Sequence, residues 1–228
     1  MSLRSIKPPH ETRTRILEAA EELFMQHGFE GTSMRLLTSK AEANLAAVNY
    51  HFGSKDALIE AVFRRRLDPM NTSRIAELDR LEKDAGGRAL SPEAIIRAFV
   101  GASLRMIEDS KSGGRNFIRL LGRTYTDPQK HIRSLIGQLY APAMERFKNA
   151  FERALPQMPR DELVWRIHFM FGTLAYTLAA TDTVQLIAGC KPEDRYDARL
   201  LEARLTAFLA AGLLAPLHDA ADVKKKAA

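Results

Sequence analysis

The stretch TSMRLLTSKAEANLAAVNYHFGSK, residues 32–55, constrains the fold of this chain more than any other. Ser33 stands where a side-chain oxygen caps a short helix over 34–40, and Asn44 stands where one caps a second helix over 45–51. Only a three-residue corner, Ala41 to Ala43, and the Asn44 cap separate the two helices. Two short helices across so tight a corner predict a helix-turn-helix, a unit that presents one helix to the major groove of DNA.

Helical periodicity continues on both sides of this unit. A helix over about 11–27 is predicted to end at Gly28, a residue suited to a left-handed cap. Ser54 is expected to cap a further helix, whose free amides around Lys55 form an anion site at the positive end of the helix dipole. Pro69 predicts a break or kink in that helix, beyond which the sequence favours a polar helical continuation.

Apolar stripes at helical spacing also organise the rest of the chain, and no stretch shows the alternation of a strand. We therefore predict an all-α fold, with an N-terminal three-helix domain and a C-terminal helical domain. Five further helices are predicted downstream. One opens at Ser91-Pro92-Glu93, a short one follows Ser112-Gly113-Gly114, and a long one runs from Asp127-Pro128 to about Leu155. The last two span about 160–186 and 194–214.

Composition limits the partners and the compartment. Of 228 residues, 46% are hydrophobic and 27% are charged, which excludes disordered and fibrous classes. The net charge of +6 suits a polyanion, but residues 1–66 carry ten Lys/Arg against eight Asp/Glu, so charge alone says little. Cys190 is the only cysteine, and no apolar run is long enough to span a membrane. A cytoplasmic protein without membrane attachment is expected.

A family resemblance rests on the run TRTRILEAAEELFMQHGFEGTSMRLLTSKAEANLAAVNYHFGSKDALIEAVF. It resembles the N-terminal domain of TetR-family transcriptional regulators, with their Gly-Phe-x-Gly-Thr-Ser link and Asn-Tyr-His-Phe-Gly-Ser-Lys ending. Together with FIRLLGRTY, LVWRIHFMFG and FLAAGL, the chain is similar to the branch around the pseudomonad regulator of fatty-acid degradation. The resemblance implies a homodimer on a palindromic operator, and repression relieved by a small amphipathic effector such as a fatty acid or acyl-CoA.

The resemblance also implies a division of the chain and a set of DNA contacts. Residues 1–55 form the DNA-binding domain, 56–218 form the ligand and dimer domain, and 219–228 form a polar tail. Arg35 is expected to read a guanine edge, because its guanidinium bonds O6 and N7 together. The full set of implied DNA-contacting residues is Ser33, Arg35, Asn44, Leu45, Ala47, Asn49, Tyr50, His51 and Lys55.

One residue departs from the family pattern. Many relatives carry glycine at the corner position that Glu42 occupies here. A left-handed conformation costs a residue with a side chain roughly 1 kcal/mol or more, and a carboxylate stands close to a polyanion. Either the corner has a different backbone geometry in this chain, or the chain has a reduced affinity for DNA.

Several downstream side chains could either pack in the core or line a ligand cavity. Aromatic and methionine side chains are by default core residues. Arg119 and Arg123, four residues apart beside an apolar face, suit an amphipathic anion but also suit plain solvent exposure. The candidate ligand-binding residues are Phe99, Phe117, Arg119, Leu120, Arg123, Tyr140, Met144, Phe147, Trp165, His168 and Phe169. A multidrug-type cation is the rival effector, and it would require acidic pocket walls.

Enzymatic alternatives find little support in the sequence. No phosphate loop, dinucleotide fingerprint, nucleophile elbow or zinc-ligand spacing occurs, so no catalytic activity, cofactor or metal is expected. His51 lacks a ligand or base partner at helical spacing, which leaves a backbone contact or simple packing. The remaining rival is a small-molecule-binding or enzymatic helical protein with a vestigial helix-turn-helix.

Overall fold

A computed structural model describes residues 9–108, 113–124, 130–178 and 197–217. Every regular element within these ranges is an α-helix, which confirms the predicted all-α class. The described helices are α1 (Pro9–Gly31), α2 (Met34–Lys40), α3 (Leu45–Phe52), α4 (Lys55–Ala85), α5 (Pro92–Glu108), α6 (Gly114–Thr124), α7 (Lys130–Ala154), α8 (Arg160–Leu178) and α9 (Ala198–Leu213).

The capping signals of the first three helices are confirmed. The Ser33 hydroxyl accepts a hydrogen bond from the Leu36 amide at 3.2 Å, and the Asn44 side-chain oxygen accepts one from the Ala47 amide at 2.7 Å. Gly28 adopts a φ of 73° and interrupts α1 near the predicted end of the first helix. Short-range sequence signals were sufficient here because each cap bonds an amide only three residues away.

The sequence predicts that the short helix over 34–40 buries both Leu36 and Leu37, and this prediction is wrong for Leu36. Leu37 is 1% exposed, as expected, but Leu36 is 38% exposed. Neighbouring residues on a helix point about 100° apart, so a helix of seven residues with one buried face encloses one of the two leucines only. The side of α2 that carries Leu36 therefore stays open to the surroundings.

The helix α4 is the longest described element, at 31 residues or roughly 46 Å. Of the predicted break or kink at Pro69, the break does not occur, since α4 is helical from Lys55 to Ala85 with Pro69 inside it. Pro69 lies on the exposed side of α4, where water can bond the carbonyl oxygen that lacks its helical donor. The predicted continuation over 71–83 is helical, but it buries Asn71 and Arg74 as well as apolar residues.

The core connects the N-terminal helices to the remainder of the chain. Phe63 of α4 packs between Phe29 of α1, at 6.0 Å between ring centroids, and Phe117 of α6, at 5.7 Å. Beyond these contacts, α4, α5 and α7 pack on one another, α5 packs on α9, and α8 contacts α6, α7 and α9. The helix α4 thus contacts the N-terminal helices α1 and α3 as well as the downstream helices α5 and α7.

Some predicted features lie outside the described residues. These are the start of the helix at Asp127-Pro128, the continuation of the α8 helix to about residue 186, Cys190 and the tail over 219–228. Within the described ranges, no helix combines the length and hydropathy needed to cross a bilayer.

Candidate DNA-binding surface and ligand cavity

The outward faces of α2 and α3 carry most of the side chains expected to contact DNA. Tyr50 is 83% exposed, and small side chains beside it leave room for a flat partner. The exposed members of the expected set are Ser33, Arg35, Asn44, Leu45, Asn49 and Tyr50, and the half-buried members are Ala47, His51 and Lys55. The fold therefore places eight of the nine on α2, α3 and their two N-caps and the ninth, Lys55, at the start of α4, with none in the core.

Two of these residues already serve as helix caps, which limits what they can offer a ligand. The Asn44 side-chain oxygen is bonded to Ala47, so its amide nitrogen remains available as a donor. The Ser33 oxygen accepts from Leu36, and its hydroxyl hydrogen remains available in the same way. Both side chains are held in place by their capping bonds and offer donors, the polarity that phosphate oxygens and purine acceptors require.

The corner between α2 and α3 is built around a left-handed Glu42. Its φ is 47°, in the left-handed region that glycine adopts most readily. Arg15 of α1 holds the corner from below, since its guanidinium donates to the Ala41 carbonyl at 3.2 Å and to the Glu42 carbonyl at 3.4 Å. The corner therefore keeps the geometry of a glycine corner, and bonds from α1 offset the backbone strain.

The inner side of α3 is fixed against α1. Val48 is fully enclosed, and the Arg13 guanidinium stands 5.4 Å from the centre of the Phe52 ring, a cation–π distance. His51 packs edge-on to Tyr50 at 5.1 Å between centroids. No group of three His, Cys, Asp or Glu side chains in the described ranges is placed to hold a metal ion. Packing beside Tyr50 is the environment that the structure gives His51.

The first half of α4 joins this surface to the rest of the chain. The Ser54 hydroxyl caps α4 by accepting from the Ala57 amide at 3.1 Å, next to Lys55. Further along, Arg66 donates two hydrogen bonds of 3.0 Å to the carboxylate of Glu21 on α1. Burial raises the pKa of the Glu21 carboxyl above its ordinary value, although the bonds and charge of Arg66 oppose that change.

A cavity of about 430 Å³ opens beside α7, in the size range of small-molecule sites. Its walls are mainly apolar, with one charged residue, Arg133, among them. The lining residues are Thr124, Arg133, Ile136, Gly137, Tyr140, Ala141, Met144 and Phe171. Among the described residues, no carboxylate contributes to this lining. An apolar body with an anionic group matches these walls better than a cation does.

A second, much smaller void of about 10 Å³ lies deeper in the helical body. It shares Tyr140 and Phe171 with the larger cavity, and Arg74 of α4 forms part of its wall. The remaining wall comes from α5, α6 and α8. Two aromatic rings therefore stand between the open cavity and a buried arginine.

Matches to family models decide the identity of the chain. Residues 97–212, more than half of the chain, match the tetracyclin repressor-like, C-terminal domain. Residues 16–62, which contain α2 and α3, match the bacterial regulatory proteins of the tetR family. The chain belongs to the TetR family. The family models and curated relatives that this TetR-family chain matches are described as regulatory proteins and transcriptional regulators.

The curated relatives of this TetR-family chain match it over part of its length only. The HTH-type transcriptional regulator UidR of Escherichia coli K12 is 43% identical over 51 residues, 22% of this chain and 26% of the relative. The HTH-type transcriptional repressor AcnR of Corynebacterium glutamicum is 33% identical over 78 residues, 34% of this chain and 39% of the relative. The chain therefore spans only about a quarter to two fifths of the length of these relatives.

Solved structures show that the likeness extends over the whole fold. Salmonella enterica GusR superimposes with a TM-score of 0.60 at 18% identity, over 92% of this chain and 99% of that one. The fatty acid degradation regulator FadR from Bacillus halodurans gives a TM-score of 0.61 at 14% identity, over 89% and 96%. At such identities the comparison establishes the TetR-family fold and nothing narrower.

The sequence-predicted ligand residues divide into several groups. Tyr140 and Met144 line the larger cavity, and Phe99 joins Tyr140 around the small void. Arg119 is half-buried outside both linings, and the side chain of Arg123 lies outside the described residues. The candidates that pack in the core instead, without lining either cavity, are Phe117, Leu120 and Phe147.

Three of the predicted ligand residues belong to a different surface. Trp165 is 58% exposed, Phe169 is 61% exposed, and His168 between them is exposed as well. None of the three lines either of these two cavities. Apolar residues occur on both sides of α8, and periodicity alone did not distinguish the buried side from the open one.

Sequence reasoning missed Arg74, Arg133 and Phe171 as cavity residues. Arg74 lies in a stretch of α4 that reads as polar, where arginine ordinarily faces solvent. Its burial results from α5 and α7 packing over it, a long-range effect. A usable signal was its spacing: Arg74 stands three, four and seven residues from Asn71, Leu78, Met70 and Leu67, which together form the buried side of α4.

Proposed function

We propose that the chain is a ligand-responsive repressor that binds a palindromic operator as a homodimer. In this proposal residues 1–55 bind DNA, 56–218 bind the effector and the second subunit, and 219–228 are a polar tail. The observation that carries it is the pair of capped helices α2 and α3, whose exposed face offers Arg35, Asn44 and Asn49. Their polar groups stand on rigid helices beside small residues that allow close approach.

The DNA contacts divide between base edges and phosphates. Arg35 supplies the base contact with the greatest discrimination, through paired bonds to a guanine. Asn49 and the free amide nitrogen of Asn44 contact base edges or nearby phosphates, while Leu45 and Ala47 provide a close-fitting apolar surface. The residues assigned to the phosphate backbone, which set the position of the protein on the duplex, are Ser33, Tyr50, His51 and Lys55.

The homodimer is proposed from the open face of α8. Trp165, Phe169 and Tyr176 are more than half exposed in the single chain, at spacings of four and seven residues that place them along one side of the helix. Phe208, 68% exposed, adds a further aromatic side chain on the contacting helix α9. Apolar surface of this kind ordinarily marks an interface. A second copy supplies the matching surface, and the pair carries two recognition helices roughly 34 Å apart.

The effector is proposed to be a small amphipathic anion such as a fatty acid or acyl-CoA, as expected for the fatty-acid degradation branch. The walls of the larger cavity support this class, since the described lining residues are mainly apolar and include Arg133 but no carboxylate. A multidrug-type cation would find no counter-charge there. No cofactor is required for this function.

The proposed signal travels through α4. Its start lies beside the DNA surface, its middle is bonded to α1 through Arg66, and its second half is bonded to α7. There Arg146 of α7 pairs with Asp79 and with Glu82, the latter at 3.0 Å. A ligand that moves α7 therefore moves α4 and the spacing of the two recognition helices. It releases DNA only insofar as it prefers the non-binding spacing.

Gel-shift titration of the intergenic DNA upstream of the chain's own gene tests this function. We expect a specific complex that survives excess unrelated competitor and weakens steeply with salt, because phosphate contacts release counterions. Absence of any complex that outlasts the competitor, across the salt series, would overturn the regulator proposal and favour a ligand-binding protein with a vestigial helix-turn-helix.

A further inference from the structure

Arg74 is an arginine buried in the middle of the helical body. It is 1% exposed and is the largest fully buried side chain among the described residues. Its Nε donates to the Phe99 carbonyl at 2.9 Å, one terminal nitrogen donates to Asn71 at 3.1 Å, and the other donates to the Ser103 hydroxyl at 2.6 Å. Every partner in this set is neutral.

The guanidinium of Arg74 lies against aromatic rings, and no carboxylate among the described residues pairs with it. Its guanidinium lies 3.8 Å from the centre of the Phe99 ring and 5.4 Å from that of Tyr140. Within the described ranges it forms no ion pair, and its three acceptors occupy only three of its five N–H groups. Buried charges are ordinarily paired, because removal from water is expensive and rings return only part of the loss.

The position of Arg74 connects this buried charge to the ligand cavity. Arg74 lines the small void, and the void shares Tyr140 and Phe171 with the larger cavity. The two rings meet edge to face at 6.4 Å between centroids and form the wall that the two spaces share. A void of about 10 Å³ holds at most a water molecule, so an anion reaches Arg74 only if one of these rings turns aside.

We propose that Arg74 binds the carboxylate of the effector, with the apolar body of the effector in the cavity beside α7. The proposal rests on the proposed function and makes it narrower. A free carboxylate brings the missing counter-charge and accepts two N–H groups at once. An acyl thioester has only a neutral carbonyl at that position. The site therefore selects free carboxylic acids over both acyl-CoA and neutral or cationic analogues.

Binding at Arg74 also acts directly on the contact between α4 and α7. The Asn71 side-chain oxygen accepts from Arg74, and its amide nitrogen donates to the Leu139 carbonyl of α7 at 3.0 Å. A carboxylate that draws the guanidinium away competes with this bond, next to the Tyr140 ring that must move. The anion site and the α4 contact with α7 are thus parts of one hydrogen-bonded chain.

Calorimetric titration of the delipidated, DNA-free protein tests the site without reference to an operator. The ligands are octanoate, decanoate and dodecanoate, with decanol, decylamine and decanoyl-CoA as head-group controls. We expect at least one carboxylate to bind ten- to a hundredfold more tightly than its neutral counterpart, the range of one charge-assisted contact. Equal affinity for decanoate and decanol, tighter binding of decylamine or decanoyl-CoA, or no binding by any carboxylate would overturn the proposal.

Matched variants separate Arg74 from the arginine at the cavity wall. Arg74→Gln is expected to abolish the preference for decanoate over decanol, Arg74→Lys to keep most of it, and Arg133→Gln to reduce it less than Arg74→Gln does. Loss of the preference in Arg133→Gln but not in Arg74→Gln would overturn the assignment. If Arg74→Gln does not fold, the wild-type head-group comparison and the Arg133 variant still decide. A specific operator complex without carboxylate binding would refute this site alone, whereas carboxylate binding without an operator complex would refute the regulator proposal alone.

Discussion

Glu21 and Arg66 form a two-bond ion pair between α1 and α4, with side chains only 6% and 13% exposed. The pair lies beside Gly113, immediately before α6, where an added Cβ would stand 3.2 Å from the guanidinium of Arg66. Three elements therefore meet at one pair of opposite charges. Any movement of α4 relative to the DNA-binding helices has to pass through this contact or break it.

Removing Arg66 is expected to make stability depend on pH. In Arg66→Met the Glu21 carboxyl stays buried without its main partner, so its pKa, already raised by burial, rises further. A carboxyl whose pKa is raised in the folded state contributes stability that is fully present below the ordinary glutamate pKa of about 4.3. This contribution is lost as the pH rises through the pKa of the folded state. We expect a loss of about 3 kcal/mol in the free energy of unfolding at pH 7 and a much smaller loss near pH 4.

Urea denaturation across that pH range measures the effect. Arg65→Met is the matched control, because its partner Glu18 is 59% exposed and the pair is 3.3 Å apart. An exposed pair of this kind contributes within about 1 kcal/mol. A loss in Arg66→Met that does not grow between pH 4 and pH 7 would show that the buried carboxylate is satisfied by other groups.

Glu42 is expected to be replaceable by glycine with a gain in stability. Its φ of 47° is strained for a residue with a side chain, so Glu42→Gly should raise the free energy of unfolding by about 1 kcal/mol. Glu42→Gln keeps the strain and removes the charge, and should leave stability nearly unchanged while tightening DNA binding. Chemical denaturation and DNA titration of both variants separate the two effects. A glycine variant that is less stable than the wild type would contradict the strain argument.

Substitutions of Arg35 and Lys55 are expected to change DNA binding in different ways. Arg35→Ala should weaken operator binding by about 1–3 kcal/mol and relax preference at one base pair, whereas Lys55→Ala should weaken binding to all sequences and reduce the salt slope by about one. Fluorescence anisotropy on operator and scrambled duplexes measures both. Arg88→Ala, in the exposed loop between α4 and α5, is the control for charge alone. Equal weakening on both duplexes by Arg35→Ala would make Arg35 a phosphate contact.

The open face of α8 is expected to hold two chains together. Phe169→Arg places a charge on that face, and because Phe169 is largely exposed in the single chain, the fold itself should be little affected. Sedimentation equilibrium should show twice the chain mass for the wild type and the single-chain mass for the variant. Tyr50→Ser removes an exposed aromatic from α3 and should leave the mass unchanged. A wild type that sediments as a single chain at micromolar concentration would refute the dimer.

Sequence was sufficient where the determining contacts are local. The caps Ser33 and Asn44 bond amides three residues away, and the positive φ of Gly28 follows from its lack of a side chain, so α1 to α3 were predicted to within a few residues. The side of a helix that becomes buried depends on distant elements. For that reason Leu36 and Trp165 were assigned to the wrong side.

The cavity was predicted less well than the DNA surface for a related reason. A polar residue on a long helix is ordinarily solvated, and only the positions of α5 and α7 show that Arg74 is enclosed. The helix does not break at Pro69 because the proline lies on the exposed side of α4, where water can bond the carbonyl oxygen that lacks its helical donor. Neither fact follows from the neighbouring residues alone.

The most direct test of the central proposal is a nuclease footprint on the DNA upstream of the chain's own gene, with the wild type and the Arg35→Ala variant side by side. The proposal predicts one protected region with two-fold sequence symmetry, its half-sites about one helical turn or roughly 34 Å apart, and loss of that protection in the variant. A wild-type pattern without any protected region, or protection of a single unsymmetrical site, would contradict it.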